Sequence, residues 1–307
     1  MTSESQTWSS NGKLLITGEY LVMEGALSLA LPLRVGQSLK TERNNNSILH
    51  WQANKPEGVW FAADYKLPSL KLIYSDDKIL AEKLNRILLA AVDINANFLA
   101  NSDGYNVITD LGFNPEFGFG TSSTLISNIA MWAEINPYHL LQKTFGGSGY
   151  DIACADKTNP IFYQIVNNEP KVLDVDFHPV FKDNVYFVYL GNKQSSSDGI
   201  IAFKEQSEFT SKDIDSISVI TKEIVKTRSL YEFEQLLIEH EQIMSKILKL
   251  PTAKSLYFSD FTGVVKSLGT WGGDFVMVTY DKSEDKLRKY MQNKGFDTVL
   301  TYDELVL

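Results

Sequence analysis

Pro115-Glu116-Phe117-Gly118-Phe119-Gly120-Thr121-Ser122-Ser123-Thr124 runs straight into the apolar series Leu125, Ile126, Ile129, Ala130 and Ala133. That series has helical spacing, and Ser or Thr ahead of it is a typical helix start. The two glycines let the backbone turn where a Cβ would clash and let it approach a ligand closely. A glycine turn that opens a helix points several N–H groups, and the positive end of the helix dipole, at one spot. Such a spot suits phosphate. Ser122 and Ser123 add hydroxyls for a phosphate oxygen or a magnesium ion. Taken alone the loop also fits a plain structural turn, and it lacks both the Gly-Lys-Ser/Thr ending of a Walker loop and the third glycine of a dinucleotide fingerprint.

The surrounding chain has 307 residues, enough for two domains with separate cores. Hydrophobic residues make up 44% and charged residues 22%, as in ordinary globular proteins. A formal net charge of −9 argues against nucleic acid or an anionic membrane as the main partner. It leaves room for a small anionic ligand held by a local cradle of N–H groups. No apolar run approaches the roughly 18 residues of a membrane span. The polar first ten residues do not read as a signal peptide. Cys154 is the sole cysteine, so no internal disulfide can form, and a cytoplasmic location is expected.

Upstream of the loop the chain is rich in β pattern. Leu14–Ile16 reads as a buried strand beginning at Lys13, with Glu19 and Tyr20 at the turn after Gly18. A lone lysine there is ordinarily a solvated strand end. Further strands are expected over 27–35, 37–43, 48–52 and 59–63, then a helix over Lys78–Ala100 and a strand over 105–109. After the loop helix, Asn136-Pro137 starts another helix that ends near Gly146-Gly147. Asp151 follows in Gly147-Ser148-Gly149-Tyr150-Asp151-Ile152-Ala153, placed either to cap a short helix or to take a proton from a hydroxyl. Strands are expected over 161–165 and 172–177. From Val185 the order becomes a strand over 185–190, helices over 211–228 and from Ser229 to Ile247, strands over 264–268 and 275–280, a helix over 283–293 and a strand over 298–302. The Ser229-x-x-Glu232 spacing is that of a capping box. Allowing for one extra helix, this is βαββαβ, a ferredoxin-like order. The boundary is placed near residue 180, giving domains 1–180 and 181–307.

Three glycine segments in this order, with Lys13 and Asp151 between them, resemble the GHMP small-molecule kinases, which phosphorylate galactose, homoserine, mevalonate and phosphomevalonate. The matching motifs are Gly12-Lys13-Leu-Leu-Ile-Thr-Gly18-Glu19-Tyr20, Pro115-x-x-Gly118-x-Gly120-Thr-Ser122-Ser123 and Lys266-Ser-Leu-Gly269-Thr-Trp-Gly272-Gly273-Asp274. Gly-Glu-Tyr, Gly-Ser-Gly-Tyr-Asp-Ile-Ala and Gly-Gly-Asp look most like the mevalonate and phosphomevalonate kinases.

The resemblance implies an α+β GHMP kinase fold, with an N-terminal domain like the second domain of ribosomal protein S5 and a ferredoxin-like C-terminal domain. It implies an ATP- and magnesium-dependent kinase of phosphomevalonate or mevalonate, with a homoserine or sugar kinase, or an inactive binding protein of the same fold, as alternatives. Asp151 would take the acceptor proton with Lys13 beside it. Gly118, Gly120, Thr121, Ser122 and Ser123 would hold the ATP phosphates, Ser123 or else Ser122 reaching magnesium. Glu19, Tyr20, Ser148, Ser196, Gly272 and Gly273 would line the acceptor site. The run Lys193, Ser195, Ser196 and Ser197 reads either as a second phosphate contact or as a surface loop. Three departures stand out. Asn11 replaces the family's proline, Thr270 and Trp271 interrupt the third glycine run so that Trp271 would narrow the cleft, and Tyr138–Gln142 holds no glutamate to bind magnesium. Neither long helix carries an uninterrupted second apolar seam, which leaves a homodimer open.

Overall fold

The computed structural model describes residues 5–101, 103–192 and 196–307, with only the backbone of Ser196. Two compact units emerge. The first comprises Met1–Gly12, Val35–Pro115 and Phe119–Asp156, and the second Lys13–Arg34, Glu116–Gly118 and Lys157–Leu307. This partition by packing differs from a single cut at residue 180, because two early strands each contribute to both units.

The first unit is a twisted sheet covered by helices. Its strands are β1 (Gln6–Leu15), β2 (Ser28–Asn44), β3 (Ile48–Lys55), β4 (Gly58–Lys66), β5 (Lys71–Ser75) and, after the helix α1 (Lys78–Ile94), β6 (Gly104–Leu111). The order is β5-β4-β3-β6-β2, with β3 and β6 parallel and the other neighbours antiparallel. Alternation explains the core: Leu49, Trp51 and Ala53 of β3 share a face with Phe61, Ala63 and Tyr65 of β4. Against that face pack Leu84, Ile87, Leu88 and Ala91 of α1, spaced for one stripe. Helix α1 ends at Ile94 rather than at Ala100, because the Asn95 side chain donates to Ala133 O (2.8 Å) and draws the chain out of the helix. The unit is completed by α2 (Thr121–Trp132), α3 (Pro137–Thr144) and α4 (Tyr150–Cys154). At the start of α3, Asn136 accepts from Tyr138 N–H at 2.8 Å with proline at the first turn, as the dipeptide predicts.

In the second unit the start of β2 pairs with β7 (Ile161–Val166), which pairs with β8 (Glu169–Asp174). The chain then gives β9 (Val185–Tyr189), four helices α5 (Ser196–Gln206), α6 (Ser211–Lys226), α7 (Leu230–Leu248) and α8 (Ala253–Tyr257), then β10 (Val265–Ser267), β11 (Phe275–Thr279), α9 (Glu284–Asn293), β12 (Val299–Thr301) and α10 (Tyr302–Leu305). The strands β10-β11-β9-β12 form one antiparallel sheet. Strand, helices, two strands, helix, strand is the expected ferredoxin-like order. The start of α7 corrects one detail. Ser229 accepts from Glu232 N–H, but Glu232 takes the Thr227 hydroxyl at 2.8 Å instead of closing the box. Closed boxes stand instead at Thr210–Asp213 and Thr301–Glu304.

Candidate active site

Helix α2 begins where the glycine turn ends. Gly120 is its N-cap, in the left-handed region at φ 98°. The first intrahelical bond runs from Thr124 N–H to Gly120 O at 2.9 Å, so the N–H groups of Thr121, Ser122 and Ser123 precede the helical ladder. Their side chains divide the work. Ser122 is exposed, whereas Ser123 is 3% exposed and donates to Gly120 O at 2.9 Å. The buried Thr121 Oγ1 has no hydrogen-bond partner. An orphaned hydroxyl beside three early helix N–H groups is what a phosphate cradle requires, so these residues fit ATP. For magnesium, a hard cation that prefers oxygen, Ser122 is the accessible hydroxyl. Ser123 braces the turn.

Asp151 lies in the first turn of α4, half-buried, and its Oδ1 accepts from Ile152 N–H at 3.1 Å. Gly149 caps that short helix at φ 84° and Ser148 is half-buried just before it. The Asp151 and Asp156 charges, after burial itself, help push the Tyr138 phenol up to about 12. Gln142 is exposed and donates to Gly147 O at 3.2 Å, and it leaves no carboxylate in the 138–142 turn.

In the second unit, Lys13 and Gly118 come together. Lys13 sits well inside β1 rather than at a strand start, and its Nζ donates to Gly118 O at 2.9 Å. Gly118 has φ 68°, and a Cβ there would lie 2.0 Å from Asp274 Oδ2. Only glycine fits both conditions. Phe117, one residue earlier, packs on Tyr189 (4.8 Å between ring centres) and Phe275 (5.4 Å), which pins the entry to the loop.

Glu19 is expected at the substrate mouth, but the structure buries it completely. Its Oε1 receives Lys266 Nζ at 2.6 Å, and its Oε2 lies 3.3 Å from His240 Nε2. Burial pushes the Glu19 carboxyl up to about 7 despite that ammonium. Burial likewise holds the His240 imidazole well below its ordinary value, and raises Glu241, which shares Lys266 at 3.4 Å. Tyr20 is half-buried and stacks on Phe203 at 5.3 Å.

Trp271 does not project from the third glycine run. It is 6% exposed, packs with Leu21, Phe203 and Met244, and donates to Pro251 O at 2.9 Å. Gly272 and Gly273 follow in a turn closed by Gly273 N–H on Thr270 O. Ser196 begins α5, where a loop was one expectation; Lys193 and Ser195 lie outside the described residues.

His240, Glu241 and Lys266 carry no role from spacing alone, yet a signal was present. Phe233, Leu237, His240 and Met244 share the buried stripe of α7, and Lys266 interrupts an apolar strand. A charge at such positions must find a partner. Among the described residues no cluster of three or more His, Cys, Asp or Glu could hold a metal by itself, and no helix is long and apolar enough to cross a membrane.

No family model and no curated protein sequence matches the chain. Solved structures do. The chain superposes on L. major mevalonate kinase, in complex with R-mevalonate, with a TM-score of 0.71 at 15% identity, over 98% of this chain and 96% of that one. Streptococcus pneumoniae phosphomevalonate kinase, in complex with phosphomevalonate and AMPPNP, gives 0.68 at 14%, over 96% and 99%. The chain has the GHMP kinase fold. Lactococcus lactis galactokinase complexed with galactose shares that fold at 0.65 and 10% identity, over 96% of this chain and 89% of the other. Similarity to the GHMP fold therefore extends over at least 96% of the chain in each of these comparisons.

Proposed function

We propose that the chain is an ATP-dependent kinase that transfers the γ-phosphoryl group to phosphomevalonate or mevalonate. The observation that carries this reading is the agreement of fold over at least 96% of the chain with kinases solved with those two acceptors. The orphaned Thr121 hydroxyl and exposed Ser122 at the start of α2 support it. The lack of a carboxylate in the 138–142 turn favours phosphomevalonate over mevalonate. In the same reading, residues 1–180 form the ATP-binding domain and 181–307 the ferredoxin-like domain.

The roles follow from residue chemistry. Phosphoryl transfer asks mainly for positioning and for stabilisation of charge on the transferring group. Thr121, Ser122 and Ser123 N–H groups hold the ATP phosphates, and Ser122 holds magnesium. Magnesium, bound with ATP, neutralises phosphate charge. With mevalonate, Asp151 accepts the proton of the acceptor hydroxyl as the new O–P bond forms and ADP departs; with phosphomevalonate, the ionised acceptor phosphate attacks and Asp151 takes only a residual proton. Lys13 counters the developing negative charge. Tyr20, Ser148, Ser196, Gly272 and Gly273 remain the proposed acceptor contacts, while Glu19 passes from contact to support.

The test is ADP release from magnesium-ATP with mevalonate, 5-phosphomevalonate, homoserine and galactose offered separately, with Asp151→Asn as control. Turnover of one of the first two by the wild type supports the reading. Turnover of homoserine or galactose alone moves the chain to another acceptor. No turnover, with no thermal stabilisation by magnesium-ATP, ends the kinase reading.

A further inference from the structure

Behind the Gly18–Tyr20 turn lies a sealed set of ionisable side chains that the phosphoryl-transfer roles do not use. Glu19, His240 and Lys266 have fully buried side chains, and Glu241 is 5% exposed. They come from three elements: the turn after β1, helix α7, and strand β10. Their charges do not cancel. His240 Nε2 accepts from Gly18 N–H at 3.0 Å, which leaves the imidazole neutral with its proton on Nδ1. Two carboxylates then face one ammonium in a dry interior, a net negative charge unless one proton is retained.

The hydrogen bonds say where that proton belongs. Glu241 is well supplied, accepting from Ser267 N–H (2.8 Å), the Ser267 hydroxyl (3.3 Å) and Lys266. Glu19 Oε1 has Lys266, but Glu19 Oε2 has no hydrogen-bond partner and faces His240 Nε2 at 3.3 Å. The one lone pair of His240 Nε2 is already taken by Gly18 N–H, so the retained proton belongs on Glu19 Oε2, the carboxylate oxygen without a donor.

The set also joins two motif segments. Gly18 N–H is bonded to His240, and Gly18 is pressed so closely on Ser28 that a Cβ would lie 2.1 Å from its hydroxyl oxygen. Lys266 and Ser267 lead directly into Gly269–Gly273. Trp271 of that run packs with Leu21 of the first motif, and the Lys266 ammonium lies 6.0 Å from the Trp271 ring centre.

We propose that Glu19 and Lys266 are positioning residues. Together with His240, Glu241 and one retained proton, they clamp the Gly18–Tyr20 turn and the Gly269–Gly273 run to α7 and so set the acceptor-binding surface. The acceptor role rests on the kinase reading above; the clamp itself does not. Loss of the proton leaves the cluster negative, so the clamp loosens as pH rises. The groups that face it are Glu19 from the turn, His240 and Glu241 from α7 and Lys266 from β10; its other neighbours, Ser267 and Trp271, do not titrate in this range.

The test combines amide hydrogen exchange, corrected for intrinsic base catalysis, with acceptor and ATP KM at several pH values from 6 to 9. Wild type, Glu19→Gln, Lys266→Met and the double variant are compared. In the wild type, exchange in Gly18–Tyr20 and Gly269–Gly273 is expected to rise together, about tenfold, between pH 6 and 8.5, a change of order one decade in the opening equilibrium. Acceptor KM should rise in step while ATP KM stays within about twofold. Glu19→Gln keeps the shape without the titration and should flatten both trends. Lys266→Met should raise exchange in both segments at every pH, and the double variant should recover part of the loss.

A pH trend that persists in Glu19→Gln overturns the proposal, as does exchange in either segment that ignores a folded Lys266→Met. If Lys266→Met does not fold, the Glu19→Gln comparison decides alone. An active enzyme whose acceptor KM ignores Glu19→Gln overturns the positioning role. Absence of turnover in the wild type counts against the kinase reading, and the exchange data then decide the clamp independently.

Discussion

The start of α2 and the cluster behind the Gly18–Tyr20 turn both hold polar groups with unused hydrogen-bonding capacity, and they use it oppositely. At α2, Ser122 is exposed and the early helix N–H groups have no partner within the helix, so anything negative that arrives is rewarded. Around Glu19 the groups are sealed, and the unused capacity of Glu19 Oε2 and His240 Nδ1 has no access to solvent. An open set binds. A closed set holds shape, and desolvation sets the pH range in which its proton is lost. Chemistry should therefore be lost by mutations near the first, and stability and loop order by mutations in the second.

The largest effect should separate chemistry from binding. Asp151→Asn is expected to slow turnover of an alcohol acceptor by about 10²–10⁴-fold. Thermal stabilisation by magnesium-ATP should remain. A phosphate acceptor has a second pKa near 6 and is already ionised at neutral pH, so the same variant should slow its turnover by about tenfold or less. Equal large losses on both acceptors would reject Asp151 as a base.

Lys266→Met should be the most costly change in the sealed cluster. It leaves Glu19 and Glu241 buried without their cation, and breaking a buried pair in this way typically costs about 3–5 kcal/mol. Urea unfolding measures it, and the double variant with Glu19→Gln should be less destabilised than Lys266→Met alone. An additive double variant would mean the two residues do not act as a pair.

The pH dependence of stability sharpens the contrast next. Glu19 is raised from 4.5 to about 7 in the fold. Between those values the unfolded chain binds fewer protons than the native one, so Glu19's contribution is full below 4.5 and is lost as pH rises through 7. The decline amounts to about 3 kcal/mol. His240, lowered by burial, acts in the other direction: its contribution is present above its ordinary 6.5 and is lost as pH falls. Unfolding of wild type and Glu19→Gln from pH 5 to 8 should show the variant gaining relative stability as pH rises. A constant difference would reject the retained proton.

Gly118→Ala should cost about 1–2 kcal/mol for its left-handed backbone. It should also weaken magnesium-ATP stabilisation, because the added Cβ pushes Asp274 away. Removing the obstructing side chain with Asp274→Gly should restore part of the loss. The smallest effect belongs to Trp271→Phe, which gives up one hydrogen bond to Pro251 O. About 1 kcal/mol by urea unfolding is expected, with acceptor KM little changed. A large gain in acceptor range would instead mean that Trp271 lines the cleft.

Local order was legible wherever one short stretch contained its own cause. Gly118-Phe-Gly120 ahead of a helical apolar stripe, Asn136-Pro137 as cap and first turn, and the strands expected over 48–52 and 59–63 all appear as the pattern predicts. The strand, helix and strand order after Val185 likewise suffices for the ferredoxin-like sheet. Misreadings arose where a distant partner intervened. Helix α1 stops at Ile94 because Asn95 finds Ala133, and Trp271 turns inward because Leu21, Phe203 and Met244 offer an apolar seat; the local exception is Glu232, which leaves its capping box for Thr227 five residues earlier.

By itself, then, the sequence determined the β-rich first part, the phosphate-suited helix start and the motif order, because periodicity, glycine and capping residues act over a few positions. Only the tertiary structure decided that Ser122 rather than Ser123 is accessible, that Lys13 reaches Gly118 O, and that Glu19 is sealed against Lys266. The last two depend on chain segments brought together, 13 with 118 and 18–19 with 240 and 266. Spacing carries no record of which distant segment will exclude the water.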